Sequence, residues 1–324
     1  MGVFVFLPLV LPLTAWPLAR LAEHHLHPRA ATRLLSVAAA TLAVCSTLCL
    51  GLLMVVGTAQ LPGNPLPDAW SDPEVRAAVP YDEVAGKAAI PALLAVLGSC
   101  GWAGVRAVRL RRRCRRALRG LPAGRTVAVL PDPDPYAYAL PPGSGAPGRV
   151  VVTSGLLAVL GAGERRALFA HERAHLRGRH DRYLLVVELA ARANPFLRPL
   201  REMVRYTVER WADEEAARAV GSRRVVAGAI GKAALVARGG PSPLAAGVAG
   251  FARPLRRGAP AGAGPVPRRV AALLSPAPPA MWWPAAFTVA GVAAWGAAVG
   301  TTASALASAN SAVTLFLILR AAPV

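Results

Sequence analysis

His171, Glu172 and His175 stand in the pattern H-E-x-x-H. On an α-helix, side chains four positions apart leave the same face one turn apart, so the two imidazoles can hold one ion. A zinc ion bound by two neutral histidines and a carboxylate keeps a position open for water. A glutamate beside the first histidine can take that water's proton as it attacks a peptide carbonyl. The chemistry encoded is metal-assisted peptide hydrolysis, with His171 and His175 as ligands and Glu172 as base. Five letters with two wildcards also recur by accident, so the surroundings decide. Ala167, Leu168, Phe169, Ala170, Ala174 and Leu176 give the helix read over 163–180 an apolar side, as a metal-binding helix packed into a domain requires.

Two stretches can supply the third ligand. In Glu209-Arg210-Trp211-Ala212-Asp213, Glu209 and Asp213 share a helix face. The first can ligate zinc while the second accepts a hydrogen bond from a ligating imidazole. Nearer in sequence, Gly178-Arg179-His180-Asp181 puts an aspartate where a close-spaced zinc motif has its last ligand, with Gly178 permitting the turn. Glu209 is preferred because it brings its own supporting carboxylate. Asp181 is more simply read as the cap of the next helix, and His180 as facing the preceding helix's C-terminal dipole.

These residues need a domain to place them, and residues 106–275 read as α+β. Strands are expected at 126–130, 136–140 and 149–153, bounded by proline and glycine. Helices follow at 155–160, 163–180 and 181–193, with a break at Asn194-Pro195. Further helices are expected at 197–220, up to Gly221, and at 223–238. A glycine- and proline-rich tether at 258–267 leads to a short helix before the last apolar run.

With 324 residues, 54% of them hydrophobic and only 17% charged, the chain is too apolar for an ordinary soluble enzyme. Its mean hydropathy of +0.42 calls for membrane spans. Four uncharged runs supply them: 1–19, 34–67 with the span near 35–58, 88–105, and 275–319. The first run has no charge before Arg20, which reads as a retained span rather than a cleaved signal. In the last run Trp282 and Trp283 resemble an interfacial belt with Pro284 at a helix start, while 301–312 is rich in Ser, Thr, Ala and Asn. One span and a short outer tail are expected there. The fold class expected is thus a multi-pass α-helical membrane protein of four spans with an inserted α+β protease domain. Its divisions are 1–105 (three spans with an acidic loop at 58–87), 106–275 (the protease domain) and 276–324 (the fourth span and tail).

Charge orients the set. The first connection carries Arg20, Arg29 and Arg33 against Glu23, the second five acids against Arg76 and Lys87, and the third opens with eight arginines between Arg106 and Arg119. The positive-inside rule makes the first and third cytoplasmic, with both termini outside the cell membrane. The net charge of +20 invites a nucleic-acid reading, and a chain this basic is a fair cue for one. The densest cluster is juxtamembrane, however, where arginines fix topology and attract anionic lipid headgroups at about 1 kcal/mol each. Anionic lipid is the expected partner, and no nucleic acid. Cys45, Cys49, Cys100 and Cys114 do not form a disulfide or zinc pattern, and His24, His25 and His27 read as polar loop residues at a headgroup surface.

H-E-R-A-H-L-R-G-R-H-D (171–181), N-P-F (194–196) and E-R-W-A-D (209–213), together with the order of spans, resemble the membrane-integrated metallopeptidases of the β-lactam sensor-transducer family. The domain is also similar to the related CAAX prenyl protease and heat-shock membrane protease family. The resemblance implies a gluzincin-like fold, a zinc cofactor, and Glu209 as third ligand through E-x-x-x-D. It also implies a substrate-binding strand at Tyr136, Ala137, Tyr138 and Ala139, and a protein or peptide substrate: a repressor, or damaged membrane protein. Sensor-transducers carry a penicillin-binding domain after span four, and only about 20 residues follow it here, so antibiotic sensing is not implied. The contrasting readings are a catalytically idle membrane scaffold or signal transducer, and a membrane-tethered nucleic-acid binder.

Overall fold

The computed structural model describes residues 6–63, 82–118, 126–143, 147–236, 264–278 and 287–321. Most of the acidic loop, the tether up to residue 263, and Trp282, Trp283 and Pro284 lie outside the described residues.

The first apolar run is not one helix. It forms α1 (Leu7–Val10), a 3-10 turn (Leu11–Thr14) and α2 (Ala15–His25). Pro8, Pro12 and Pro17 each fall in the first turn of a piece, where a missing N–H is tolerated, and Pro12 and Pro17 interrupt the piece before them. Helix α3 (Pro28–Ala59) starts on Pro28, with His27 as its N-cap accepting from the Arg29 N–H at 3.2 Å. Helix α4 (Asp82–Ala117) runs through Pro91 without ending. These two contain the spans expected near 35–58 and at 88–105, and by length and composition they are apolar enough to cross a membrane. Among the described residues two such helices are shown; the four expected spans are not.

The expected outer tail is also helical: the last helix extends unbroken over Val289–Ala321. Its Thr side chains bond to the helix itself, as when Thr301 and Thr302 donate to the carbonyls of Ala297 and Ala298. Ser304 and Ser308 are buried, and Ser308 donates to the Cys45 carbonyl of α3 at 3.4 Å. Small residues here bring two helices together rather than into water.

The three expected strands form one sheet: β1 (Val127–Leu130), β2 (Ala137–Leu140) and β3 (Arg149–Thr153). Their order is β1-β3-β2, with β1 parallel and β2 antiparallel to β3, so β2 is an edge strand. The basic end of α4 packs beneath it, where Leu110, Cys114 and Leu118 join Tyr136, Tyr138, Leu140 and Val151. After β3 come α5 (Ser154–Val159), α6 (Ala162–Gly178) and α7 (His180–Ala193). Then follow a 3-10 turn at Pro195–Leu197, α8 (Arg198–Val220) and α9 (Arg223–Val236). The chain is described again at α10 (Pro265–Leu274), and the final helix is α11. Leu168 of α6, Ala216 of α8, Ile230 of α9 and Leu273 of α10 share one core with Val152 of the sheet. A second core sets Val187 and Val204, from α7 and α8, against Leu35 and Leu42 of α3.

Helices α3 and α4 touch backbone to backbone at Gly57 and Gly86. A Cβ on Gly57 would lie 2.2 Å from the Gly86 carbonyl carbon. Gly57→Ala must therefore push the helices apart, at a cost of about 1–3 kcal/mol. The expected outcome is a lower melting temperature of the full chain in detergent; an unchanged one would contradict this crossing.

Candidate metal centre

Helix α6 carries the two histidines. Gly161 precedes its first turn, and Glu164 reaches back to accept the Gly161 N–H at 2.8 Å, satisfying a donor the helix cannot. Ala167, Leu168 and Ala174 are buried, and so are His171 and Glu172. The Nε2 atoms of His171 and His175 stand 3.1 Å apart. From α8, Glu209 places Oε2 at 3.6 Å from His171 Nε2 and Oε1 at 3.6 Å from His175 Nε2. One donor atom from each of the three lies within 4.8 Å of the others. Ligands about 2.0–2.1 Å from a tetrahedral ion sit about 3.3 Å from one another, so this N, N, O set fits zinc. Asp181 is not part of that cluster. It pairs with Arg111 at 3.0 Å and Arg179 at 3.5 Å, and it makes no helix cap.

Both imidazoles are held from behind. Asp213, one turn beyond Glu209, places Oδ1 3.1 Å from His171 Nδ1, which fixes Nδ1 as the protonated nitrogen and frees the Nε2 lone pair. His175 has no carboxylate there. Its Nδ1 lies 2.9 Å from His180 Nδ1, so one ring donates and the other accepts. His180 does not face the preceding helix end as expected, because α6 stops at Gly178. Arg179 then takes the left-handed conformation (φ 50°), and His180 folds back over Gly178, where a Cβ would lie 2.4 Å from its Nε2. The His180 ring packs against Trp211 at a tilt of 52°, centroids 4.4 Å apart.

Arg269 of α10 was not foreseen. It is 2% exposed, donates to Asp213 at 2.6 and 2.8 Å, and lies 3.0 Å from Glu209 Oε2. One signal marks it in the sequence. Val266, Arg269, Val270 and Leu273 repeat at i, i+3, i+4 and i+7, so a charge occupies a core position of an apolar stripe.

The titration behaviour of the metal-free site follows from these contacts. Burial alone would raise the carboxyls of Glu209 and Asp213, but the Arg269 charge, with the histidines behind it, holds both well below the usual range. Burial would discharge His171, yet bonds to Asp213 and Glu209 outweigh it and push its pKa up to about 9. His175 lacks such a partner, and burial brings it down to about 4. Burial lifts Glu172 to about 7, against the opposing charge of His171.

Glu172 also meets the sheet. Tyr136 turns its backbone groups to Thr153 of β3, so by strand alternation Tyr138 faces β3 while Ala137 and Ala139 face the free edge. The Ala139 N–H bonds to the Glu172 carboxylate. The side chains of Tyr136 and Tyr138 are buried, the latter against Cys114. What the strand offers outward is therefore backbone.

Residues 107–208 match the model of peptidase family M48, a stretch of about a third of the chain that contains the sheet and α6 and ends one residue before Glu209. No curated protein and no solved structure matches the chain. The kinship with sensor-transducers and CAAX prenyl proteases that the motifs suggested fits this family. The stretch built around the His171–His175 helix is thus similar to peptidase family M48, and its His-His-Glu cluster fits a metallopeptidase of that kind.

Proposed function

We propose that the chain is an integral-membrane zinc endopeptidase that cleaves protein substrates at the cytoplasmic face. The observation that carries the reading is the convergence of His171, His175 and Glu209 on one point, with Glu172 between that point and the free edge of β2. The membrane placement is supported by α3 and α4 and by the arginines that flank them. Its substrates are regulatory proteins such as a repressor, or damaged membrane proteins.

In this mechanism an extended substrate segment pairs with β2 through the outward backbone groups of Ala137 and the Ala139 carbonyl, the Ala139 N–H being taken by Glu172, which lays a peptide bond across the metal centre. A zinc ion on His171, His175 and Glu209 would polarise the scissile carbonyl and acidify a water molecule. Glu172 takes the proton from water on its carboxylate and passes it to the departing amine nitrogen. A group that titrates near 7 in the metal-free chain is suited to both transfers. Asp213 and His180 keep the two imidazoles oriented, and Arg269 offsets the charge of the buried carboxylates.

Three outcomes test this. Glu172→Gln keeps zinc and lowers peptide cleavage by about 10²–10⁴-fold, because it removes the base and no ligand. Retained turnover would refute Glu172 as the base, whereas no cleavage by the zinc-loaded unmodified chain would favour an idle scaffold. Among ligand variants, elemental analysis should find zinc largely lost in Glu209→Ala. In Asp213→Ala and His180→Ala affinity should fall by about 10–100-fold, and in Asp181→Asn it should hardly change. Full occupancy in Glu209→Ala would move the third ligand elsewhere. The third outcome concerns pH. His171 holds its proton up to about 9 in the metal-free chain, whereas His175 at about 4 is already neutral. Zinc must therefore displace about one proton at neutral pH, and its affinity rises as pH rises toward 9. Calorimetry in buffers of different ionisation enthalpy reads that proton directly, and a pH-independent affinity between 6 and 9 would contradict it.

A further inference from the structure

A cavity of about 510 Å³ opens where α3 begins, α8 ends and α9 begins, among His27, Arg29, Glu214, Arg218, Ser222 and Arg223. The metal centre does not use these residues. Four arginines and two glutamates determine its charge. Glu214 is taken up by Arg210 at 3.1 Å and by Arg223, which also donates to the Leu273 and Ala272 carbonyls. Arg218 reaches Glu215 at 3.2 Å but stays 59% exposed, and Arg29 lies over the Trp211 ring at 5.4 Å. The balance is positive. His27 responds to that field: after burial, Arg218 is the strongest influence lowering its pKa, Arg29 and Arg210 act in the same sense, and only Glu215 opposes them. The N-terminal ends of α3 and α9 point the positive ends of their dipoles here, against the C-terminal end of α8.

We propose that this cavity is a binding site for a phosphate-bearing anion. Room, excess arginine and two helix N-termini are what a phosphate group requires, and an uncharged ligand would make no use of them. The site opens where α3, one of the two helices apolar enough to span a bilayer, begins. The phosphate can therefore belong to an anionic phospholipid headgroup or to a soluble phosphate compound. It also lies close to the metal centre, since Arg29 rests on Trp211, Trp211 on His180, and His180 on His175. The proposal does not depend on the peptidase reading.

The test uses the zinc-loaded full chain in detergent and two probes. Native mass spectrometry measures retention of phosphatidylglycerol against phosphatidylcholine, and tryptophan fluorescence follows a titration with inorganic phosphate. Arg218→Gln removes one exposed lining charge, and Arg166→Gln removes the same charge from the exposed side of α6, outside both the cavity and the arginine cluster of α4, as a control. A single charge near an anionic headgroup corresponds to about fivefold in affinity. The expected result is about a fivefold loss in Arg218→Gln and none in Arg166→Gln. If the lipid probe shows it, the ligand is a headgroup; if inorganic phosphate shows it, a soluble phosphate. Equal losses in both variants would mean a diffuse basic field and overturn the site. So would no preference for phosphatidylglycerol together with no response to phosphate.

Discussion

Arg269 between Glu209 and Asp213 is the contact on which the rest of the metal centre depends. Taking carboxylates out of water is prohibitive unless an opposite charge goes with them. Here two enter the core beside a third, Glu172, and before any metal arrives a guanidinium meets two of them in a forked geometry. The cluster can then stand assembled in the metal-free chain. That arrangement ties α10 to α8 across 56 residues of sequence, so the helix leading toward α11 is part of the His-His-Glu cluster's support and not an appendage to it. Under the proposed function Arg269 would also work against the metal's own charge, and the free energy of zinc binding would be a balance between that repulsion and three preorganised donors.

The features legible in the sequence are those set within one helix. H-E-x-x-H and E-x-x-x-D both declare their geometry by a four-residue spacing, and the structure places all four named side chains where that spacing implies. Strand positions were legible too, since glycine and proline bracket them. Contacts between distant elements were not. Arg269 announced only that it was buried, with no indication of its partner. His180 was read against the helix end behind it because nothing in Gly178-Arg179 reveals that a non-glycine residue will adopt a left-handed turn and swing the ring back onto His175. The apolar runs at the two ends differ from the expected spans for the same reason, which is that hydropathy ignores hydrogen bonding. Prolines divide one run into short pieces, and threonines bonded to their own backbone lie inside the unbroken helix of the other.

The basic end of α4 has more than one task. Arginines at that level were read as topology markers and lipid contacts, yet Arg111 pairs with Asp181 just past the metal-binding helix. Arg115 donates to the Pro141 carbonyl at the end of β2. Cys114 packs against Tyr138 from the same helix turn. A single helix thus runs from the apolar layer to the underside of the strand beside Glu172, and the sheet has no support on that face that is independent of it among the described residues.

The outward edge of β2 has a consequence for what can be cut. A polypeptide can lie along Ala137–Leu140 only as a lone extended strand whose own N–H and C=O groups are unspent, and a segment already paired in a helix or sheet has none to offer. Because Tyr136 and Tyr138 are turned inward, few side-chain pockets remain along the strand to read residue identity. In the proposed mechanism such a site measures slack in the polypeptide chain: it ranks proteins by how readily a few residues come loose, and a single sequence passes from immune to vulnerable when its fold lets go.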